Sequence, residues 1–204
     1  KYGVIPTTQP TPVTKPKENQ NALVMCGSTG NLAEEGPACP ASGSMSVWTQ
    51  QNAPSGYTIL SPQIQYPGVG KVPGYDGKVG QAQRAIDNLR DPLPDILIGF
   101  SAGADSAVLY TQMAANNNLT ALVLIGPALG SSGVSQEDYV NMISNLGINV
   151  LIVDETGTLK NLFAKAENVT VIQTGVKHPD MDDDIGIMSD VYKWLNDPTV
   201  FKKK

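Results

Sequence analysis

Six short apolar runs punctuate the chain, at residues 22–26 (ALVMC), 57–60 (YTIL), 95–99 (DILIG), 121–125 (ALVLI), 149–153 (NVLIV) and 169–172 (VTVI). Most are continuous rather than alternating. Strands covered on both faces read that way, and such strands belong to parallel sheets. Between the runs, apolar positions recur with a helical period. One stripe is Val79, Ala82, Ile86 and Leu89, and another is Ala104, Ala107, Val108, Tyr110 and Thr111. A third is Tyr139, Met142, Ile143 and Leu146, and the last is Ile185, Met188, Val191, Tyr192 and Leu195. Gly147 stands where a helix C-cap belongs. Asp182, Asp183 and Asp184 precede the last helix, where acidic side chains favour the N-terminal dipole.

Strands alternating with helices imply right-handed crossovers and helices on both sheet faces. The expectation is an α/β protein: a three-layer α/β/α arrangement around a doubly wound, mostly parallel sheet of about six strands. Residues 1–20 carry Pro6, Pro10, Pro12 and Pro16 among threonines and read as an extended linker or tail. Residues 198–204 read as a second tail. That leaves 21–197 as one domain, in keeping with a length of 204 residues.

Composition narrows the function. Hydrophobic residues make up 41% and charged residues 16%, enough apolar material for one packed core. The net charge is −5, and the longest basic stretch is the terminal Lys202-Lys203-Lys204, which argues against a nucleic-acid partner. No apolar run approaches the roughly 20 residues of a transmembrane helix. The chain opens on Lys with no signal-peptide pattern, so the expectation is a processed product or a domain of something longer. The Thr/Pro segment suits an exported or surface protein. Cys26 and Cys39 read equally as a disulfide, which would fit that compartment, or as two unrelated thiols.

The strongest chemical signal is Gly99-Phe100-Ser101-Ala102-Gly103, placed between a buried strand and an Ala-rich helix. A serine at such a turn is held in a strained backbone at the C-terminal edge of the sheet, and glycines flank it because strand and helix come too close for side chains. The alternative is a Gly-rich turn with a passive serine. His178 is the sole histidine, on a loop after the last strand, and a serine nucleophile needs a neutral imidazole to take its proton. A carboxylate must then orient that imidazole. The order Ser…acid…His points to the end of the fifth strand, with Asp154 first and Glu155 second; Asp154 reads otherwise as a residue capping the next turn. The loop Cys26-Gly27-Ser28-Thr29-Gly30 follows the first strand, beside the third at the switch point of a 2-1-3-4-5-6 sheet. The Ser28 and Ala102 backbone N–H groups could therefore converge on one oxyanion, a stabilisation worth about 3 kcal/mol per donor.

On VMCGSTG, GFSAG, the acidic pair after the fifth strand and TGVKHPD, residues 22–196 resemble the α/β-hydrolase superfamily. Members commonly carry His-Gly after the first of these strands, with the next residue donating to the oxyanion. Cys26 takes the His slot, Gly27 matches and Ser28 falls on the donor position. The resemblance implies Ser101 as nucleophile, Ala102 as second donor and His178 as base. The departure is the acid. Relatives often place it where this chain has Thr156, Gly157 and Thr158, so Glu155, or Glu137 or Asp138 after the fourth strand, stands beside Asp154. The short length implies a member without a cap domain, similar to small esterases, lipases and cutinases, with segments 67–80 and 126–135 walling the acyl site.

The expected activity is thus hydrolysis of a small-molecule or lipid ester through an acyl-enzyme. No nucleotide, flavin or zinc pattern is present, and no cofactor or metal is expected. The aspartates at 180–184 read as helix capping rather than a calcium site. Asn118-Leu119-Thr120 and Asn168-Val169-Thr170 match the glycan acceptor pattern. Two alternatives remain: a binding module that kept the fold and lost catalysis, and a hydrolase or acyltransferase effector module of a larger exported protein. Oligomeric state is not legible.

Overall fold

The computed structural model describes residues 19–28, 55–60, 64–88, 92–114, 118–130, 134–197 and 200. Most of both expected tails, Cys39 and Leu89 lie outside the described residues. The strands are β1 (Gln20–Met25), β2 (Tyr57–Ile59), β3 (Ile96–Phe100), β4 (Ala121–Ile125), β5 (Asn149–Asp154) and β6 (Val169–Gln173). They form one sheet of order β2-β1-β3-β4-β5-β6, with every pairing parallel. The helices are α1 (Gly77–Asn88), α2 (Ala102–Met113), α3 (Gln136–Ser144), the single turn α4 (Leu159–Leu162) and α5 (Ile185–Asn196). This is the doubly wound α/β architecture that the sequence predicts, with β1 starting two residues earlier than its apolar run. Among the described residues no helix is long and apolar enough to cross a membrane.

The continuous apolar runs follow from two cores, one on each face. Side chains alternate across a strand. Leu23, Met25, Leu97, Leu122, Leu124, Val150 and Ile152 pack with Ala82 and Ala85 of α1, Ala104, Ala107 and Val108 of α2, and Tyr139 and Ile143 of α3. The intervening Ala22, Val24, Ile98, Phe100, Val123, Ile125, Leu151 and Val153 pack with Met181 and with Ile187, Met188, Val191 and Leu195 of α5. β1, β3, β4 and β5 are sealed on both sides and have no room for polar alternation, whereas the edge strand β6 is only partly buried.

Three details depart from the periodic reading. Val79 is 44% exposed, and α1 instead buries Lys78, Gln81, Ala82 and Ala85. The helix turns that face inward because its polar groups find partners there: Lys78 pairs with Asp105, and the Gln81 amide donates to the carbonyls of Cys26 and Ile64. Ile185 is 78% exposed because it opens α5 at the rim. Gly147 is not the cap of α3; Asn145 is. The Asn168 side chain supplies the closing hydrogen bonds by donating to the carbonyls of Ile143, Leu146 and Ile148. That use of the amide gives Asn168 a structural role.

Candidate active site

Parallel register brings the strand ends to a common edge. Met25 pairs with Gly99, Phe100 with Ile125, Ile125 with Val153, and Asp154 with Gln173. The residues that follow these positions all emerge at the same rim of the sheet, the one that carries the β1–β3 switch point.

Ser101 sits at the N-cap of α2 with φ 52° and ψ −120°. A non-glycine residue in that region is strained and is kept there only by its surroundings. The surroundings are tight. Its N–H donates to the Ile125 carbonyl at 2.9 Å, and its own carbonyl accepts from Ala104 at 3.0 Å. A Cβ at Gly99 would lie 2.5 Å from the Ala104 Cα, and one at Gly103 would collide with the carbonyl oxygens of Met25 and Cys26. The glycines on either side of the serine are therefore demanded by the crossing of strand and helix.

His178 enters from the far end of the chain. Thr174 N–H bonds the Asp154 carbonyl at 3.0 Å and Gly175 N–H bonds the Glu155 carbonyl at 3.1 Å, carrying the loop back over the sheet edge. A single 3-10 turn, His178–Asp180, then presents the imidazole. Its Nε2 lies 2.9 Å from Ser101 Oγ, across 77 residues of sequence. The ring stacks on Phe100, with centroids 5.4 Å apart and planes inclined by 20°.

The acidic residues distribute differently. The Asp154 carboxylate accepts from the Leu159 N–H at 3.1 Å and so caps α4. Glu155 Oε2 accepts from the backbone N–H of His178 at 3.0 Å. Asp138 is engaged in a capping box with Ser135, whose hydroxyl and N–H hold its carboxyl below the usual aspartate range. Glu137 lies beside it in the first turn of α3. Among the described residues no carboxylate is hydrogen-bonded to His178 Nδ1. Burial, then Asp183, raise the pKa of Asp182, while His178 lowers it. Asp184 caps α5 by accepting from Ile187 N–H at 3.0 Å.

Of the two expected oxyanion donors, Ala102 directly follows the serine, and Ser28 follows Gly27 in the loop after β1. Ala102 begins α2, where N–H groups have no intrahelical acceptor. Gly27, next to Ser28, lies so near Ser101 that an added Cβ would be 3.2 Å from the serine Cβ. Gln81 holds this loop through the Cys26 carbonyl at 2.9 Å. Cys26 is disulfide-bonded.

Sequence reasoning missed a buried polar group behind the serine. Asp105 is fully buried, paired with Lys78, and accepts from the Leu129 N–H at 3.1 Å. Leu129 has φ 44°, a second strained non-glycine residue, in the loop after β4. Burial raises the Asp105 pKa, with Lys78 opposing. The available signal was an aspartate within the otherwise small and apolar GADSA segment of α2. Phe100 and the tethering contact of Glu155 were missed as well, because neither has a sequence signature.

In overall architecture the chain is similar to the crystal structure of the esterase domain from a Rhodothermus marinus protein, with a TM-score of 0.52 and 14% sequence identity over 86% of this chain and 87% of that one. No protein-family model and no curated protein matches the sequence. At this identity the likeness is one of fold.

Proposed function

We propose that this α/β protein is a serine hydrolase that cleaves a small-molecule or lipid ester, with Ser101 as nucleophile and His178 as general base. The supporting observation is the 2.9 Å approach of His178 Nε2 to Ser101 Oγ, made by a serine in a strained conformation at a strand-to-helix turn. Strain of that kind is kept at sites where geometry matters to chemistry. The esterase domain of similar fold favours ester hydrolysis among acyl transfers.

In the first half-reaction the Ser101 hydroxyl proton passes to His178 Nε2 while Oγ bonds to the ester carbonyl carbon. The carbonyl oxygen becomes an oxyanion between the Ala102 and Ser28 N–H groups. The tetrahedral centre collapses, the C–O bond to the alcohol breaks, and the imidazolium returns the proton to that oxygen. Water then attacks the acyl-serine by the same route. The helix α2 adds its positive end to the oxyanion side. The disulfide at Cys26, at the mouth of the site, favours an oxidising, extracytoplasmic setting.

The absence of a carboxylate on Nδ1 among the described residues favours one second reading, a binding module on a hydrolase fold. A fluorophosphonate probe and a series of p-nitrophenyl esters separate the two. The hydrolase reading expects probe labelling and turnover that vanish in Ser101→Ala and His178→Ala. Equal labelling and turnover in wild type and Ser101→Ala would overturn it.

A further inference from the structure

An imidazole that shuttles a proton must be held in one orientation, and a carboxylate on Nδ1 is the usual means. Here the Nδ1 edge meets backbone instead. A Cβ placed on Gly126 would lie 2.8 Å from Nδ1 and 3.0 Å from Cε1. The flat face of the ring meets Phe100. Phe100 is itself fixed. It is the last residue of β3 and is 8% exposed. It also lies against Gly27, where an added Cβ would be 2.9 Å from Cδ1 and 3.3 Å from Cε1. The aromatic ring thus meets both the loop after β1 and the imidazole. The His178 backbone is tethered through its N–H to Glu155 Oε2 and through its carbonyl to the Met181 N–H.

We propose that Phe100 is the positioning residue for His178: its stacked ring, with Gly126 as backstop and Glu155 as a backbone tether, holds Nε2 on Ser101 Oγ in place of a carboxylate on Nδ1. This rests on the esterase reading for its catalytic consequence, but not for the stacking itself. The aromatic face also suits the moment at which the imidazole carries a proton, since a cation is attracted to a π face at this distance. The charged groups around the ring are the carboxylates of Glu155 and Asp182 and, next to His178 in the 3-10 turn, Lys177 and Asp180. Glu155 acts as an acceptor for a peptide N–H, a task that needs an oxygen but no negative charge.

The single histidine makes the arrangement directly observable. Proton NMR of wild type should show the imidazole Cδ2–H and Cε1–H signals displaced by the Phe100 ring current. The displacement should vanish in Phe100→Leu and persist in Phe100→Tyr, with circular dichroism showing all three folded. With a p-nitrophenyl ester, Phe100→Leu should lower kcat about 10- to 100-fold, as expected for misplacing a catalytic group, and leave KM within about twofold. Phe100→Tyr should recover most of that loss. Glu155→Gln keeps the acceptor and loses the charge, and should lower kcat only severalfold. Identical histidine signals in wild type and Phe100→Leu would overturn the proposal. So would an unchanged kcat in Phe100→Leu, or a loss of about 10⁴-fold in Glu155→Gln, the size seen when a triad carboxylate becomes an amide. If wild type shows no Ser101-dependent turnover, the esterase reading falls, and the histidine signals still decide whether Phe100 holds the ring.

Discussion

Lys78 and Asp105 form an ion pair, 2% and 0% exposed, between α1 and α2 one turn behind Ser101. Removing one partner of a buried pair costs far more than the pair itself contributes, because the other charge is left without compensation. Lys78→Met is expected to destabilise the fold by about 3–5 kcal/mol. A Lys78→Met/Asp105→Leu double variant should recover a large part of that loss. Urea unfolding of the single and double variants checks both. The sign with pH follows from Asp105, whose pKa burial raises above the ordinary aspartate value. Without Lys78 burial is opposed only by the backbone N–H groups of Leu129 and Ala128, so the pKa rises further. The folded state then holds a proton that the unfolded state has released, so Lys78→Met should lose stability as pH rises from the ordinary aspartate range through the raised value, and regain it on acidification.

Glycine spacing gives a contrast between two positions. Gly103→Ala drives a Cβ into the carbonyl oxygens of Met25 and Cys26, neither of which can move without opening the sheet. It should cost about 3 kcal/mol or more. Gly147→Ala meets nothing within 4 Å and should stay within about 0.5 kcal/mol of wild type. Thermal melts of the two variants suffice.

Asp154 caps α4 through Leu159 N–H, and the structure gives its carboxylate no bond to the imidazole. Asp154→Asn should therefore cost about 1 kcal/mol of stability or less, as cap changes do, and lower kcat only severalfold. A loss of about 10⁴-fold with normal folding would make Asp154 the acid.

Burial raises the Tyr57 pKa from 10.0 to about 12, with Tyr192 adding to it, and the hydroxyl donates to the Leu195 carbonyl. The folded protein keeps this proton when the unfolded chain has lost it. The stabilisation is complete below about pH 10 and declines as pH rises toward about 12. Burial also raises Tyr66, Tyr110 and Tyr139, so phenolate absorbance should show several late-titrating tyrosines, one fewer in Tyr57→Phe, and that variant should show a shallower alkaline loss of stability.

Asn168 offers its amide to three carbonyl oxygens at the end of α3. Asn168→Asp would set a carboxylate against them and should cost about 2–3 kcal/mol. Amide exchange at the α3–β5 connection should rise first.

The layered fold was legible because four strands are sealed on both faces, and a strand with two apolar sides leaves an unbroken run such as ALVLI in the sequence. Ser101 was legible because its strained turn requires glycine at both 99 and 103, a local demand with a local signature. The face of α1 was not legible. Its buried side carries Lys78 and Gln81, whose partners Asp105, Cys26 and Ile64 are distant in the chain, so hydrophobic periodicity pointed to Val79 instead. The direction of the acidic side chains was not legible for the same reason: strand order located the acidic pair at the rim, but what each reaches was set by the fold, Asp154 turning to Leu159 N–H and Glu155 to the backbone N–H of His178.

The sequence by itself determined the strand count, the parallel sheet and the serine turn, since each depends on burial or backbone strain expressed within a few neighbouring residues. The tertiary structure alone decided what His178 touches. The meeting of Nε2 with Ser101, the stacking on Phe100 and the backstop at Gly126 depend on strand register and loop path, which are set by packing across the whole sheet rather than by any nearby residue.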